Sequence, residues 1–141
     1  MAEQPKMALV TGAGTGVGRA VAQILLRNDY CVTLTGRRSE LLEEAASDSG
    51  ADSGRILCHQ ADVRLATDVD ALFDSAIDRF GRLDLLFNNA GIGARAVDVD
   101  ELDVSEWQAV LETNVHGAFL CARRAFGQMK AQDPKGGRII N

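Results

Sequence analysis

The chain has 141 residues, of which 46% are hydrophobic and 25% are charged, and its formal net charge is -5. This composition is ordinary for a single globular domain and excludes disordered and fibrous classes. The negative charge balance repels phosphate backbones and argues against nucleic acid as a partner. The polar first residues and the lack of a long apolar run argue against a secretory signal and a membrane association. Three separated cysteines match no metal-ligand spacing, so we expect a reduced, cytoplasmic protein without a metal site.

Short apolar segments of strand length alternate along the chain with longer segments of helical periodicity. The strands are predicted, in order, at 7–11, 31–35, 55–60, 83–87 and from 138 onward. This alternation predicts an α/β fold, a doubly wound parallel sheet with helices on both faces and right-handed crossovers. Ligands of such folds bind at the carboxyl ends of the strands, where the strand order reverses.

Helices are predicted between these strands from apolar spacing and capping residues. The first runs over 17–28, with Val21, Ile24 and Leu25 on one apolar face. The second begins near Ser39 as its N-cap, before a polar loop over 47–54, and the third ends at Gly81. A long fourth helix is predicted to start with a capping box formed by Ser105 and Gln108 and to run towards Lys130. A turn is predicted over 133–137.

A glycine-rich turn, Thr11-Gly-Ala-Gly-Thr-Gly-Val-Gly18, lies between the first strand and its helix. Such a turn lets the backbone approach a pyrophosphate closely, and the helix N-terminus supplies free N–H groups and partial positive charge. A flexible turn without a ligand is the alternative, but the position within a βαβ unit favours a nucleotide. A P-loop is excluded, because Arg19 and Ala20 stand where Lys and Ser or Thr would follow.

The spacing of the glycines is more specific than their number. The usual dinucleotide fingerprint, counted from Gly12 and Gly14, requires a small residue where Val17 stands. The pattern Thr-Gly-x-x-x-Gly-x-Gly fits instead, on Thr11, Gly12, Gly16 and Gly18. In this pattern the chain resembles the short-chain dehydrogenase/reductase family.

Further motifs of that family follow in the correct order over nearly the whole chain. Asp62-Val63 follows the third strand, Asn88-Asn-Ala-Gly91 closes the fourth, and Thr113-Asn-Val115 lies in the long helix. The resemblance implies a Rossmann-type dinucleotide-binding portion over 1–141 and a nicotinamide-dependent oxidoreductase of a small-molecule ketone or secondary alcohol. It also implies that the intact protein is a homo-oligomer, a dimer or tetramer.

The resemblance assigns cofactor contacts along the chain. Asp62 and Val63 would lie against the adenine, and residues 89–91 would line the adenosine ribose and the approach to the nicotinamide. The full set of cofactor contacts implied by the family comprises Gly12, Thr15, Gly16, Val17, Gly18, Asp62, Val63, Asn89, Ala90 and Gly91.

Asn114 is the catalytic residue that the resemblance implies within this chain. Asparagine is a poor residue for a helix interior, so its presence among apolar neighbours requires a reason. The family's matching residue perturbs its helix and positions a water in a proton relay to a catalytic lysine. The alternative is an asparagine that bonds a neighbouring loop.

The end of the second strand bears on the choice between NADP and NAD. An NAD site places an acid there, but the stretch reads Thr35-Gly-Arg-Arg38, with no acid before Glu40. A guanidinium offers a fork of donors to a 2′-phosphate, which an acid would repel. We therefore predict NADP, with Arg37 as the main ligand and Arg38 in support, while NAD stays possible. Two solvated turn residues are the alternative.

The family's remaining catalytic groups, a Ser and a Tyr-x-x-x-Lys, lie beyond the fifth strand. The single tyrosine, Tyr30, lies before the second strand, and Lys130 has no tyrosine at the required spacing. We therefore expect this chain to be the cofactor half of a longer enzyme and to be inactive alone. A non-catalytic redox sensor is the alternative function, and a purely structural role would leave Arg37 and Arg38 unexplained.

Overall fold

The computed structural model describes residues 3–141, which form one five-stranded parallel sheet with the order β3-β2-β1-β4-β5. All residues of the central strand are buried, as expected where helices cover both faces of a parallel sheet. The strand order reverses between β1 and β4, and the predicted doubly wound Rossmann-type fold is thereby confirmed. The strands are β1 (Met7–Thr11), β2 (Cys31–Gly36), β3 (Ile56–Gln60), β4 (Leu85–Phe87) and β5 (Arg138–Ile140).

Five α-helices connect these strands. A π-helical segment, Glu112–Gly117, joins the last two helices without a break, and short 3₁₀ turns lie at Ser53–Arg55 and Val99–Glu101. Within 3–141, none of the helices combines the length and the apolar character needed to cross a membrane. The helices are α1 (Gly16–Arg27), α2 (Ser39–Asp48), α3 (Ala66–Phe80), α4 (Val104–Leu111) and α5 (Ala118–Ala131).

Two apolar cores lie on opposite faces of the sheet, because successive side chains of a strand point to opposite sides. Met7 and Leu9 pack with residues of α3 and α5, including Phe73. Ala8 and Val10 pack with residues of α1 and α2. The carboxyl edge of the sheet is therefore held from both sides.

The structure corrects the predicted helix starts. The capping box of Ser105 and Gln108 is wrong, because α4 begins at Val104 with Asp103 at its N-cap position. The Asp103 carboxylate accepts a hydrogen bond from the Arg95 side chain at 3.1 Å and makes no capping bond. Likewise, Ser39 is the first residue of α2 and not its cap.

The buried face of α1 also differs from the prediction. Ile24 is 53% exposed, whereas Gly18, Ala22 and Leu26 are buried. Gly18 and Ala22 let the helix approach the sheet closely, and Leu26 fills the core behind them. The apolar periodicity predicted the helix correctly; of the predicted face, Leu25 packs partly against this core, whereas Ile24 points outward.

The fourth strand begins at Leu85, two residues later than predicted. The reason is a side-chain amide that replaces strand pairing at buried Leu83. Gln132 accepts from the Leu83 N–H at 2.9 Å and donates to the Leu83 carbonyl at 2.8 Å. A side chain that takes the place of a neighbouring strand in these hydrogen bonds does not alter the hydrophobic periodicity, so the sequence did not indicate it.

A partly buried ion pair holds the amino edge of the sheet, opposite the carboxyl ends of the strands. The Arg82 guanidinium donates to both oxygens of Asp84 at 2.7–3.0 Å, and the Met7 N–H donates to Asp84 at 2.9 Å. Burial raises the pKa of the Asp84 carboxyl, but these hydrogen bonds outweigh it and hold the pKa below its ordinary value. Asp84 thus ties the start of β4 to the start of β1.

We predict that Asp84→Asn lowers the free energy of unfolding by about 2 kcal/mol at neutral pH, because it leaves the Arg82 guanidinium without a charged partner. Since the folded-state pKa of Asp84 is lowered, its contribution is present above the ordinary carboxyl pKa and is lost as the pH falls through the folded-state value. Urea unfolding from pH 7 into acid should therefore show a shrinking difference between variant and wild type. Asp29→Asn is the control, since Asp29 is 98% exposed in its pair with Arg55. A pH-independent difference would contradict the prediction.

Candidate functional site

The turn between β1 and α1 is shaped by glycines with left-handed backbone geometry. Gly12 and Gly16 have φ values of +62° and +55°, which other residues rarely adopt. Thr15 makes no side-chain capping bond, and the first turn of α1 contains no acidic residue. The first N–H groups of α1 and its positive dipole end are therefore not offset by a capping side chain or a carboxylate within this turn.

Gly18 lets the first turn of α1 pack directly on the backbone of the glycine turn. A Cβ atom at Gly18 would lie 2.2 Å from the Gly12 carbonyl oxygen and 2.6 Å from Nδ2 of Asn89. No side chain fits there without movement of the backbone. Gly18 thus sets how closely the helix approaches the ends of β1 and β4.

We predict that Gly18→Ala lowers the free energy of unfolding by about 2–3 kcal/mol, because its Cβ must displace the Gly12 backbone. Gly127→Ala is the matched control: Gly127 lies within α5, and a Cβ there meets no atom within 4 Å. Relief of backbone entropy should leave that control unchanged or about 0.5–1 kcal/mol more stable. Chemical denaturation of both variants checks this, and a Gly18→Ala protein as stable as wild type would refute the packing argument.

The ends of β1 and β4 are joined by side-chain hydrogen bonds. The buried Thr11 hydroxyl accepts the backbone N–H groups of Asn89 and Ala90, each at 2.9 Å. The Asn89 amide donates back to the Thr11 carbonyl at 3.2 Å. Asn89 therefore lies behind the glycine turn and braces it, and its contact with a ribose stays a prediction.

A groove crosses the carboxyl edge of the sheet above this brace. It brings together most of the cofactor-binding residues predicted from the sequence, namely Gly12, Thr15, Arg37, Arg38, Asp62, Val63, Ala90 and Gly91. Gly16 and Gly18 lie in the first turn of α1 outside the groove lining, and Val17 beside them is 65% exposed. Asn89 and Asn114 support the groove from behind rather than line it.

The groove also has lining residues that sequence reasoning missed. Leu41 and Leu42 belong to the first turn of α2, and both line the groove after the two arginines. The other missed residues lie next to the motifs identified in the sequence, and this adjacency could have indicated them. The residues missed are Gly14, Gly36, Leu41, Leu42, Ala61, Ile92 and Thr113.

Arg37 and Arg38 lie exposed at the end of β2, at the rim of the groove. The Arg37 carbonyl accepts from the Gln60 side chain at 2.8 Å, which fixes the backbone there. Among the ion pairs found in residues 3–141, neither guanidinium has a carboxylate partner. Two cationic groups are thus available at this rim.

Asp62 lies on the groove wall just beyond β3 and is paired with Arg64. Hydrogen bonds from the Arg64 side chain, and then from its backbone N–H, hold the pKa of Asp62 below its ordinary value, although burial opposes them. Val63 beside it is buried and packs against the π-helical segment, where a Cβ on Gly117 would lie 2.6 Å from its Cγ2. The wall is therefore anionic at one residue and apolar at the next.

Asn114 lies in the π-helical segment, so the helix is perturbed where this asparagine occurs, as the resemblance implied. Its Oδ1 accepts from the Ile92 N–H at 2.8 Å, and its Nδ2 donates to the Ile92 carbonyl at 2.9 Å. This is the loop contact that the sequence left open as the alternative. A part in a proton relay stays a prediction.

Other candidate groups lie away from the groove. Tyr30 precedes β2 at the amino edge of the sheet and packs against the core formed with α1 and α2. His116 borders a separate apolar cavity beside Leu111 and Phe119. Within residues 3–141, no group of three or more His, Cys, Asp or Glu side chains is placed to hold a metal ion.

The comparison with known proteins agrees with this geometry. The model of the family described as short chain dehydrogenase matches residues 6–141. The chain belongs to the short-chain dehydrogenase family. The resemblance noted from the glycine spacing and the later motifs is thereby confirmed.

Relatives of known function and structure cover nearly all of this chain. A 3-oxoacyl-[acyl-carrier-protein] reductase of Synechocystis is 37% identical over 137 residues, covering 96% of this chain and 54% of the relative. The crystal structure of a 3-ketoacyl-(acyl-carrier-protein) reductase from Brucella melitensis complexed with NADH has a TM-score of 0.85 at 31% identity, covering 92% of this chain and 52% of the other.

A second solved structure is similarly close to this chain. An actinorhodin polyketide ketoreductase with NADPH has a TM-score of 0.88 at 32% identity, covering 100% of this chain and 54% of the other. The chain thus spans about half the length of the relatives it matches.

Proposed function

We propose that this chain is the cofactor-binding portion of an NADP(H)-dependent oxidoreductase that interconverts a ketone and a secondary alcohol by hydride transfer. The observation that carries the proposal is the groove at the point of strand reversal. It combines an uncapped helix start, a glycine turn, two arginines without carboxylate partners and an acid–apolar wall. Relatives named as ketoacyl reductases and ketoreductases support a carbonyl substrate.

The residues in and around the groove would bind a dinucleotide in the following order. The glycine turn and the first N–H groups of α1 would bind the pyrophosphate. Asp62 and Val63 would contact the adenine, and Asn89, Ala90 and Gly91 the ribose and the approach to the nicotinamide. Gly12, Thr15, Gly16, Val17 and Gly18 would form the phosphate-binding surface. When bound, the nicotinamide would supply or accept the hydride.

The choice of NADP over NAD depends on the end of β2. Arg37 and Arg38 are exposed there, and neither is neutralised by a carboxylate among the described ion pairs. A 2′-phosphate would satisfy them, with charge-assisted hydrogen bonds of about 1.5–3 kcal/mol, or roughly ten- to a hundred-fold in affinity. NAD stays possible as a weaker ligand, because the remaining contacts do not involve the 2′-phosphate.

We predict that Arg37→Ala weakens NADPH binding roughly ten-fold or more and leaves NADH binding nearly unchanged. Fluorescence titration of the protein with both cofactors measures this. Arg27→Ala is the matched control, because Arg27 is exposed at the far end of α1 from the groove. Equal losses for both cofactors would mean that Arg37 only stabilises the turn, and the NADP assignment would then fail.

Asn114 is proposed as the catalytic residue in this portion, acting through a positioned water. Its side chain is held by both polar groups of the Ile92 backbone. The segment that carries it also packs on Val63 of the groove wall through Gly117. This fixation would keep the relay in one geometry, as preorganised catalysis requires.

We predict that Asn114→Ala lowers kcat strongly while the Kd of the cofactor changes little, because a relay acts in the chemical step. Steady-state kinetics together with cofactor titration checks this. Asn28→Ala is the control, since Asn28 also donates a side-chain hydrogen bond to a backbone carbonyl but lies at the end of α1. A stable and fully active variant would remove the catalytic role, and an unfolded one would support the structural alternative.

The remaining properties are proposed on narrower grounds. A homo-oligomer, a dimer or tetramer, is supported by exposed large apolar side chains along α4 to α5, including Trp107, Val115 and Phe119. A cytoplasmic location is supported by three cysteines that are all free thiols.

We propose that residues 1–141 alone are inactive. Turnover by the intact protein would distinguish the enzyme from a redox sensor.

A further inference from the structure

Asp62 and Arg64 form a close ion pair on the wall of the groove. The Arg64 Nε lies 3.0 Å from both carboxylate oxygens, and its Nη2 lies 2.6 Å from Oδ2. The Arg64 backbone N–H also donates to Oδ1 at 3.0 Å. Asp62 lines the groove, while Arg64 borders the apolar cavity with Leu65 and Phe119 on the other side.

This pair leaves the carboxylate with little spare hydrogen-bonding capacity. A carboxylate offers about four acceptor positions. Three N–H groups of Arg64 already point at it, namely the backbone N–H, Nη2–H and an Nε–H that the two oxygens share. About one acceptor position therefore remains on Asp62 for a ligand in the groove.

The backbone around the pair is fixed as well. The Asp62 N–H donates to the Asp68 carboxylate at 2.9 Å, and the Leu65 N–H donates to the Asp62 carbonyl at 3.0 Å. The Asp62 side chain is 18% exposed and that of Arg64 33% exposed, so both are partly screened from water. Rotation of the carboxylate would break the bidentate contact, so its orientation is set by Arg64.

We infer that Arg64 is a positioning residue that makes Asp62 selective for a purine carrying a 6-amino group. The inference rests on the proposed function, in which Asp62 lies against the adenine. The remaining acceptor can take one N–H of the adenine amino group. A purine with a 6-oxo group would instead place a carbonyl oxygen against the remaining acceptor position of the carboxylate, with no donor between the two oxygens. Arg64 would not touch the cofactor itself.

The test compares NADPH with its hypoxanthine analogue, reduced nicotinamide hypoxanthine dinucleotide phosphate, which has a 6-oxo group. In the wild-type protein we expect the analogue to bind about ten-fold more weakly or worse. Arg64→Met should reduce this ratio of dissociation constants to about three-fold or less. Arg64→Lys, which keeps the charge without the planar fork, should also lose much of the ratio.

The ratio of dissociation constants is used because partial unfolding of a variant weakens the binding of both dinucleotides equally and leaves this ratio unchanged. Arg82→Met is the matched control: Arg82 makes the same bidentate contact with Asp84, two residues away, at the amino edge of the sheet. Its ratio should equal that of wild type.

The outcomes separate the inference from the proposed function. Three results for the ratio of the two dissociation constants would overturn the positioning role while leaving NADPH binding intact. They are a wild-type ratio near one, an Arg64→Met ratio equal to that of wild type, and an Arg64→Lys ratio as large as that of wild type. If the wild-type protein bound neither dinucleotide, the proposed function would fail and the inference with it. A loss of the ratio in Arg64→Met but not in Arg82→Met would support it.

Discussion

The groove depends on one interaction, the hydrogen bonds by which the Thr11 hydroxyl accepts two N–H groups from the end of β4. The chain leaves β1 and β4 in opposite directions, and this divergence opens the crevice in which ligands of doubly wound sheets bind. The Asn89 amide donates a hydrogen bond to the Thr11 carbonyl of β1, and Gly18 lets α1 pack closely against the same turn. The turn, the helix start and the loop after β4 are thereby fixed relative to one another before any ligand is present.

Local charges at the groove are arranged against the overall charge of the chain. The net charge is -5, yet an uncapped helix start and two arginines lie on the groove. The one acid on the groove wall, Asp62, is held by Arg64. An anionic nucleotide would therefore be attracted by short-range contacts rather than by the field of the whole protein, and such contacts are less sensitive to salt.

The fold could be predicted from the sequence because it follows from local patterns, whereas most of the groove residues were assigned through the motifs that resemble the family. The buried strands β1 and β2 are apolar runs bounded by turn residues, and the glycine spacing identified the turn on which Gly18 lets α1 pack. The remaining features of the fold and the site depend on tertiary contacts, which produce no periodic pattern in the sequence. The Gln132 amide shortened β4, and the Ile92 loop took up the side chain of Asn114. Arg64 beside Asp62 was visible in the sequence, but its bidentate contact was not.

The π-helical segment explains how distant parts of the groove can be held by one element. In a regular α-helix, side chains three residues apart point to the same face. The wider π turn separates them, so Asn114 reaches the Ile92 loop while Gly117 packs against Val63 on the other wall. Ile92 and Val63 both line the groove. The two hydrogen bonds to the Ile92 backbone give a physical reason for an asparagine at a position where helix propensity disfavours it.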